Sequence, residues 1–207
     1  MTVSHPHWPV VWDWRPGHDA RILILGATSG IGRAMAMELA QHGRDLILAS
    51  RDLTEVERMA ADVALRTGRN VRPKPFDALL YASHEALLEQ CIDSPGALER
   101  LVLYYGDMCE QDQAEANFSR SRRMIEVNFA SCVSVLNAAA KALALHGGGC
   151  LCVVSSVTDD RGRQSNYTYG ATKAAIDVYL QGLRNRIYPK NVHVITVKPG
   201  FVDTPMT

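Results

Sequence analysis

The stretch Arg21-Ile-Leu-Ile-Leu-Gly-Ala-Thr-Ser-Gly-Ile-Gly32 constrains this chain more than any other. Ile22 to Leu25 is too short a run for a helix and too apolar for a half-exposed strand, so it reads as a central strand buried on both faces of a parallel sheet. Gly26 ends the run, Gly30 and Gly32 follow, and Arg33-Ala-Met-Ala-Met-Glu-Leu-Ala is made mostly of good helix formers. Strand, glycine turn and helix in that order can bind an anion. A ligand phosphate can approach a backbone that carries no side chains, and the first helical turn offers unpaired N–H groups and a positive dipole end. The spacing is G-x-x-x-G-x-G rather than the better-known G-x-G-x-x-G. A tight turn with no ligand would use the same residues.

The rest of the chain repeats the alternation. Strands are expected at Leu46–Ser50, Val71–Phe76, Leu101–Tyr105, Cys150–Ser155 and Val192–Val197. Val71–Phe76 is interrupted by prolines and so belongs near an edge. Helices are expected at about Thr54–Arg66 with Thr54 as N-cap, within Ser83–Ile92, over Arg122–Leu145 and over Tyr167–Ile187. Alternation along the whole length predicts an α/β doubly wound parallel sheet with strand order 3-2-1-4-5-6 and helices on both faces. In such a sheet ligands sit beyond the carboxyl ends of the strands. That edge would gather Gly26–Gly32, Arg51, Asp77, Gly106, Ser155-Ser156 and Pro199-Gly200.

Charge and cysteine usage exclude several classes. Twenty-two basic and 22 acidic residues in a chain of 207 leave no net charge, a poor footprint for nucleic acid or an anionic membrane. No apolar run approaches a membrane span, and Met1–Pro9 lacks a signal pattern. Residues 1–20 are read as an N-terminal extension whose Trp8, Trp12 and Trp14 cover an apolar edge. Residues 21–207 are read as one domain. Cys91, Cys109, Cys132, Cys150 and Cys152 are scattered and odd in number, which indicates a reduced, cytoplasmic protein with buried thiols and no metal site.

Tyr169-Gly-Ala-Thr-Lys173 places a phenol and an ammonium one helical turn apart. A nearby cation favours phenolate and lowers the tyrosine pKa toward a range suited to proton exchange. Ser156, at the mouth of the fifth strand, would stand beside the phenol. With these residues the chain resembles the classical short-chain dehydrogenases/reductases, built on a Rossmann-like fold. Gly26-Ala-Thr-Ser-Gly-Ile-Gly32 matches that family's nucleotide loop, although Leu25 stands where threonine is usual. Tyr169 and Lys173 match its Y-x-x-x-K, and Ser156 its serine. Asn128 matches its helix asparagine, and Pro199-Gly-Phe-Val-Asp-Thr204 its proline-glycine segment.

The resemblance implies roles. Asn128, Ser156, Tyr169 and Lys173 would be catalytic. Ser156 would hold the carbonyl oxygen and Tyr169 would supply the proton. Lys173 would depress the phenol pKa and hold the ribose hydroxyls. Asn128 would hold a water linking Lys173 to solvent. Gly26, Thr28, Ser29, Gly30, Ile31, Gly32, Arg51, Asp77, Gly106, Tyr169, Lys173, Pro199, Gly200, Val202 and Thr204 would bind the dinucleotide. NADP(H) is expected over NAD(H), because Ser50-Arg51 stands where a carboxylate would meet a ribose 2′-hydroxyl. A homodimer or homotetramer is expected from the family's pairing of its long helices.

Two departures stand out. Leu103-Tyr-Tyr-Gly106 replaces the family's N-N-A-G, and the sequence stops at Thr207, before the family's usual substrate-covering segment, so either the sequence is cut short or the pocket lacks its lid. Arg161 and Arg163 could grip a phosphate or carboxylate. Tyr167 has no lysine four residues on and reads as pocket lining or packing. The segment Asp160-Arg-Gly-Arg163 with Asn166 resembles reductases of polyprenyl-phosphoryl keto-pentoses, which implies a keto-sugar on a lipid phosphate as substrate. The rival classes are a catalytically silent NADP-binding regulator, a sugar-nucleotide epimerase or dehydratase, and an interaction module. Retention of Asn128, Ser156, Tyr169 and Lys173 together favours the enzyme.

Overall fold

The computed structural model describes residues 21–92 and 98–203, and for Asp159 the backbone only. Trp8, Trp12, Trp14, the expected extension and Thr204 lie outside the described residues. Six parallel strands form one sheet in the order β3-β2-β1-β4-β5-β6, as the alternation predicts. They are β1 (Arg21–Leu25), β2 (Asp45–Ser50), β3 (Val71–Pro75), β4 (Leu98–Leu103), β5 (Gly149–Val154) and β6 (Val192–Val197). The prolines of β3 are tolerated because that strand is at the sheet edge and pairs only with β2.

The buried run of β1 is divided between two cores by the two-residue period of the strand. Ile22 and Ile24 pack with Leu39, Val56 and Val63 of α1 (Gly30–Gln41) and α2 (Leu53–Thr67). Leu23 and Leu25 face Leu88, Leu136 and Leu180 on the other side. These belong to α3 (His84–Ile92), α6 (Ser131–Leu145) and α7 (Tyr167–Ile187). Over β4–β6 on the α1 side, Val102, Cys150, Cys152 and Val197 line a largely apolar cavity of about 860 Å³.

Several boundaries differ from expectation. The N-cap of α2 is Asp52, whose carboxylate accepts from the Glu55 N–H, rather than Thr54. The fourth strand ends at Leu103, before the two tyrosines. A short helix that periodicity does not signal, α4 (Gln111–Ala116), precedes α5 (Phe118–Ile125). The long helix therefore starts earlier than expected and is broken by a π-helical turn, Glu126–Ala130, which holds Asn128. Phe118–Leu145 is long and apolar enough to cross a membrane by length and composition alone, a test that a buried core helix also passes. Half of its apolar window is buried, with Val135, Leu136, Ala139 and Leu143 in the core. Four of the five thiols are buried, whereas Cys109 is half-buried.

Candidate active site

The glycine turn is built for close approach. Gly26 has φ +80°, and a Cβ there would lie 2.7 Å from the Tyr105 nitrogen. A Cβ on Gly32 would lie 2.6 Å from the Gly26 carbonyl oxygen, so only glycine lets α1 seat on the loop. Ser29 caps α1 by accepting from the Gly32 N–H, and no acidic residue occupies the first helical turn. The turn opens on a cleft of about 250 Å³ lined by Gly26, Thr28, Ser29, Ser50, Arg51, Asp77 and Gly106, among others. Thr28 and Ser50 share a 2.8 Å hydroxyl–hydroxyl bond on that wall, and Arg51 is exposed at its rim. This cradle suits a dinucleotide: a helix N-terminus without a competing carboxylate, and a cation with no acidic side chain in its place at the end of β2.

Beside it lies a cavity of about 400 Å³ that shares Tyr104, Tyr105 and Gly106 with the cleft. Ile31, Ser156, Tyr169, Lys173, Pro199, Gly200 and Val202 line it. The hydroxyl of Ser156 accepts from the Thr158 N–H at 3.2 Å and from the Thr158 hydroxyl at 2.9 Å. Both lone pairs are thus occupied, and the Ser156 O–H is left to donate. Lys173 Nζ donates to the Val154 carbonyl at 3.2 Å and lies 5.6 Å from the Tyr169 ring centroid.

The Tyr169 pKa departs from expectation. It is raised above 10.0, not lowered: burial disfavours the phenolate, and the hydrogen bond with Ser156 only partly opposes this. Lys173 spends its ammonium on the β5 backbone, which the spacing of the two residues could not reveal.

Asn128 is buried, and its side chain bonds to the loop after β4 and to α7. Its oxygen accepts from the Asp107 N–H at 2.7 Å. Its Nδ2 donates to the Asp107 carbonyl at 2.8 Å and to Thr172 Oγ1 at 3.1 Å. The side chain therefore ties the loop after β4 to α7. Of the two replacement tyrosines, Tyr105 packs into the core, its ring 5.2 Å from that of Phe76 and its hydroxyl accepting from Ser131. Tyr104 stands between cleft and cavity.

The substrate candidates separate. Arg163 lines the cavity, while Arg161 is exposed and away from its wall. Tyr167 does not line it: the hydroxyl donates to Glu115 at 2.7 Å on the outside of α4. Sequence reasoning missed Gln111. Its Oε1 accepts from the Thr168 N–H and its Nε2 donates to the Thr168 hydroxyl, both at 3.0 Å. Gln111 thereby caps α7, whose own N-cap residue, Asn166, makes no side-chain capping bond. No sequence signal marks this pairing, which spans 57 residues. Gln111→Leu is expected to cost about 1 kcal/mol or more, since it leaves the part-buried N–H and hydroxyl of Thr168 without their partner. Gln111→Glu should lose little, because a carboxylate can accept from both. Urea unfolding of the two variants checks this, and equal losses would deny the cap.

The model of the short chain dehydrogenase family matches residues 20–207. An uncharacterized oxidoreductase of Streptomyces coelicolor is 34% identical over 192 residues, covering 92% of this chain and 76% of the relative. One of Mycobacterium tuberculosis is 31% identical over 188 residues, with 91% and 75% covered. Among solved structures, a short-chain dehydrogenase from Sphingobium yanoikuyae in complex with NADPH is 26% identical at a TM-score of 0.82, covering 90% of this chain and 73% of that one. A short-chain dehydrogenase from Shigella flexneri complexed with NADP is 25% identical at 0.82, with 91% and 80% covered. With the sheet order, the glycine turn and the Tyr169–Lys173 helix already in place, these matches make the chain a member of the short-chain dehydrogenase family of oxidoreductases.

Proposed function

We propose that the protein reduces a carbonyl compound with NADPH, or oxidises the corresponding alcohol with NADP, using Ser156, Tyr169 and Lys173. The observation that carries this reading is their convergence on one cavity continuous with the glycine-turn cleft. When bound, the nicotinamide supplies or accepts the hydride at the carbonyl carbon. Ser156, with both lone pairs taken by Thr158, donates to the carbonyl oxygen, where negative charge develops. Tyr169 gives that oxygen its proton in the reducing direction and receives it in the other. Lys173 would hold the ribose hydroxyls beside the phenol. Asn128 fixes the wall of the site through Asp107 and Thr172.

Gly26, Thr28, Ser29, Gly30, Ile31 and Gly32 would cradle the pyrophosphate, Asp77 would border the adenine, and Gly106, Pro199, Gly200, Val202 and Thr204 would flank the nicotinamide side. Arg51 would meet a 2′-phosphate, and the NADPH and NADP complexes of the Sphingobium and Shigella proteins support that preference. Arg51→Ala is expected to weaken NADPH binding by about tenfold or more, the loss of a charge-assisted contact, and NADH binding by less than about twofold. Fluorescence titration with each nucleotide tests this, and equal losses would remove the preference.

For the substrate the finer reading is a keto-sugar on a lipid phosphate. Arg163 on the wall supports a polar head in the cavity, and a phosphate would be met outside it by Arg161. Residues 21–207 are taken as the dinucleotide-binding domain. Free thiols throughout support a cytoplasmic setting. The exposed Phe118 and Ile125 on the long helix support pairing of copies into a homo-oligomer.

A further inference from the structure

We propose that Arg163 and Asn166 form a subsite that reads a hydroxyl group next to the substrate carbonyl, so that the protein prefers neutral hydroxy-ketones; this rests on the carbonyl-reductase reading above. Asn166 is the N-cap of α7, where asparagine ordinarily turns its side-chain oxygen onto the second or third helical N–H. Gln111, reaching across from α4, has taken the Thr168 N–H instead. The Asn166 Oδ1 is left buried with no hydrogen-bond partner. So is the Nε of Arg163. One turn joins the two residues, since the Asn166 N–H donates to the Arg163 carbonyl at 3.2 Å. Both line the cavity that holds Ser156 and Tyr169.

The guanidinium Nε–H only donates and the amide oxygen only accepts. A group that both accepts and donates, a hydroxyl, satisfies the pair together. A plain ketone satisfies neither atom. An anion satisfies only the arginine and meets the amide oxygen and Glu110, which stands on the same wall. Buried polar atoms left unpaired are what allow a site to reject an analogue lacking one hydroxyl.

Hydroxyacetone, butanone and pyruvate have nearly the same size and differ at one group, and NADPH oxidation gives kcat/KM for each. The expected preference for hydroxyacetone over butanone is about tenfold or more, with pyruvate the poorest. In Asn166→Ala and in Arg163→Lys, which keeps the charge but removes the Nε–H, the ratio is expected to approach one. Thermal unfolding of both variants checks their fold, and Arg163→Lys carries the test if Asn166→Ala does not fold. A ratio near one in the wild type, a preference for pyruvate, or a ratio that survives both substitutions overturns the subsite. Variants that only lose thermal stability while keeping the ratio would mean that the two atoms serve each other. If NADPH binds and none of the three ketones is reduced, the reductase reading fails separately. The subsite is then judged by calorimetry of 1,2-propanediol against 2-butanol on the NADPH complex, where tighter binding of the diol supports it and equal binding overturns it.

Discussion

Tyr169→Phe is expected to lower kcat for carbonyl reduction by about three orders of magnitude and to leave the fold intact. Tyr169 is 8% exposed and packs with Ala114 and Met124, contacts that phenylalanine keeps. What is lost is the proton donor and its bond to Ser156. The variant should still bind NADPH, so the fall appears in kcat rather than in cofactor affinity. The pH dependence follows from the direction of the Tyr169 shift. Reduction needs the protonated phenol, and burial raises its pKa above 10.0. The reductive rate should therefore be flat through neutral pH and fall only above pH 10. Alcohol oxidation needs the phenolate and should climb over the same alkaline range. A reductive rate already halved near pH 7 would mean that Lys173 controls the phenol after all. Unchanged turnover in Tyr169→Phe would remove the phenol from the chemistry.

Gly26→Ala is expected to lower stability by about 3 kcal/mol and to abolish detectable NADPH binding. Two costs combine at this position: a φ of +80°, and a Cβ held 2.7 Å from the Tyr105 nitrogen and 2.9 Å from the Tyr104 carbonyl carbon. Both neighbours are backbone, and the Tyr104 N–H is bonded to the Leu25 carbonyl, so the loop cannot step aside cheaply. Gly43 separates the two costs. Its φ is +81°, yet nothing lies within 4 Å of a Cβ there. Gly43→Ala should cost about 1 kcal/mol, for the backbone alone, with NADPH binding retained. Denaturant melts and cofactor titrations of the pair decide the matter. Equal effects at the two positions would show that the tight approach to Tyr105 is not what the turn requires.

Much of this architecture is readable from the chain. The run Ile22–Leu25 has no polar residue to place at a surface, so a central strand follows, and the two-residue period sorts its side chains into the two cores. The limits of α7 and β6, Tyr167–Ile187 and Val192–Val197, match expectation because Pro189 and the flanking polar residues punctuate them. The features that stay hidden depend on distant contacts. Gln111–Ala116 is short and polar, with Gln111 and Ala114 its buried residues, and it is held by Thr168 and Tyr167 from α7. The Tyr169–Lys173 spacing says that the two groups are neighbours. It says nothing of the burial that raises one pKa, or of the Val154 carbonyl that takes the ammonium. Arg161 and Arg163 are alike in sequence, yet the fold exposes one and lines the cavity with the other.

The most direct measurement follows the transferred atom. NADPH carrying deuterium at both C4 positions, incubated with the protein and a panel of hydroxylated ketones, should place deuterium on the carbinol carbon of the product, read by mass spectrometry. The Tyr169→Phe protein should bind the same nucleotide and yield almost no labelled alcohol. Failure of the intact protein to bind NADPH, or an alcohol product without the label, would contradict hydride transfer at this site.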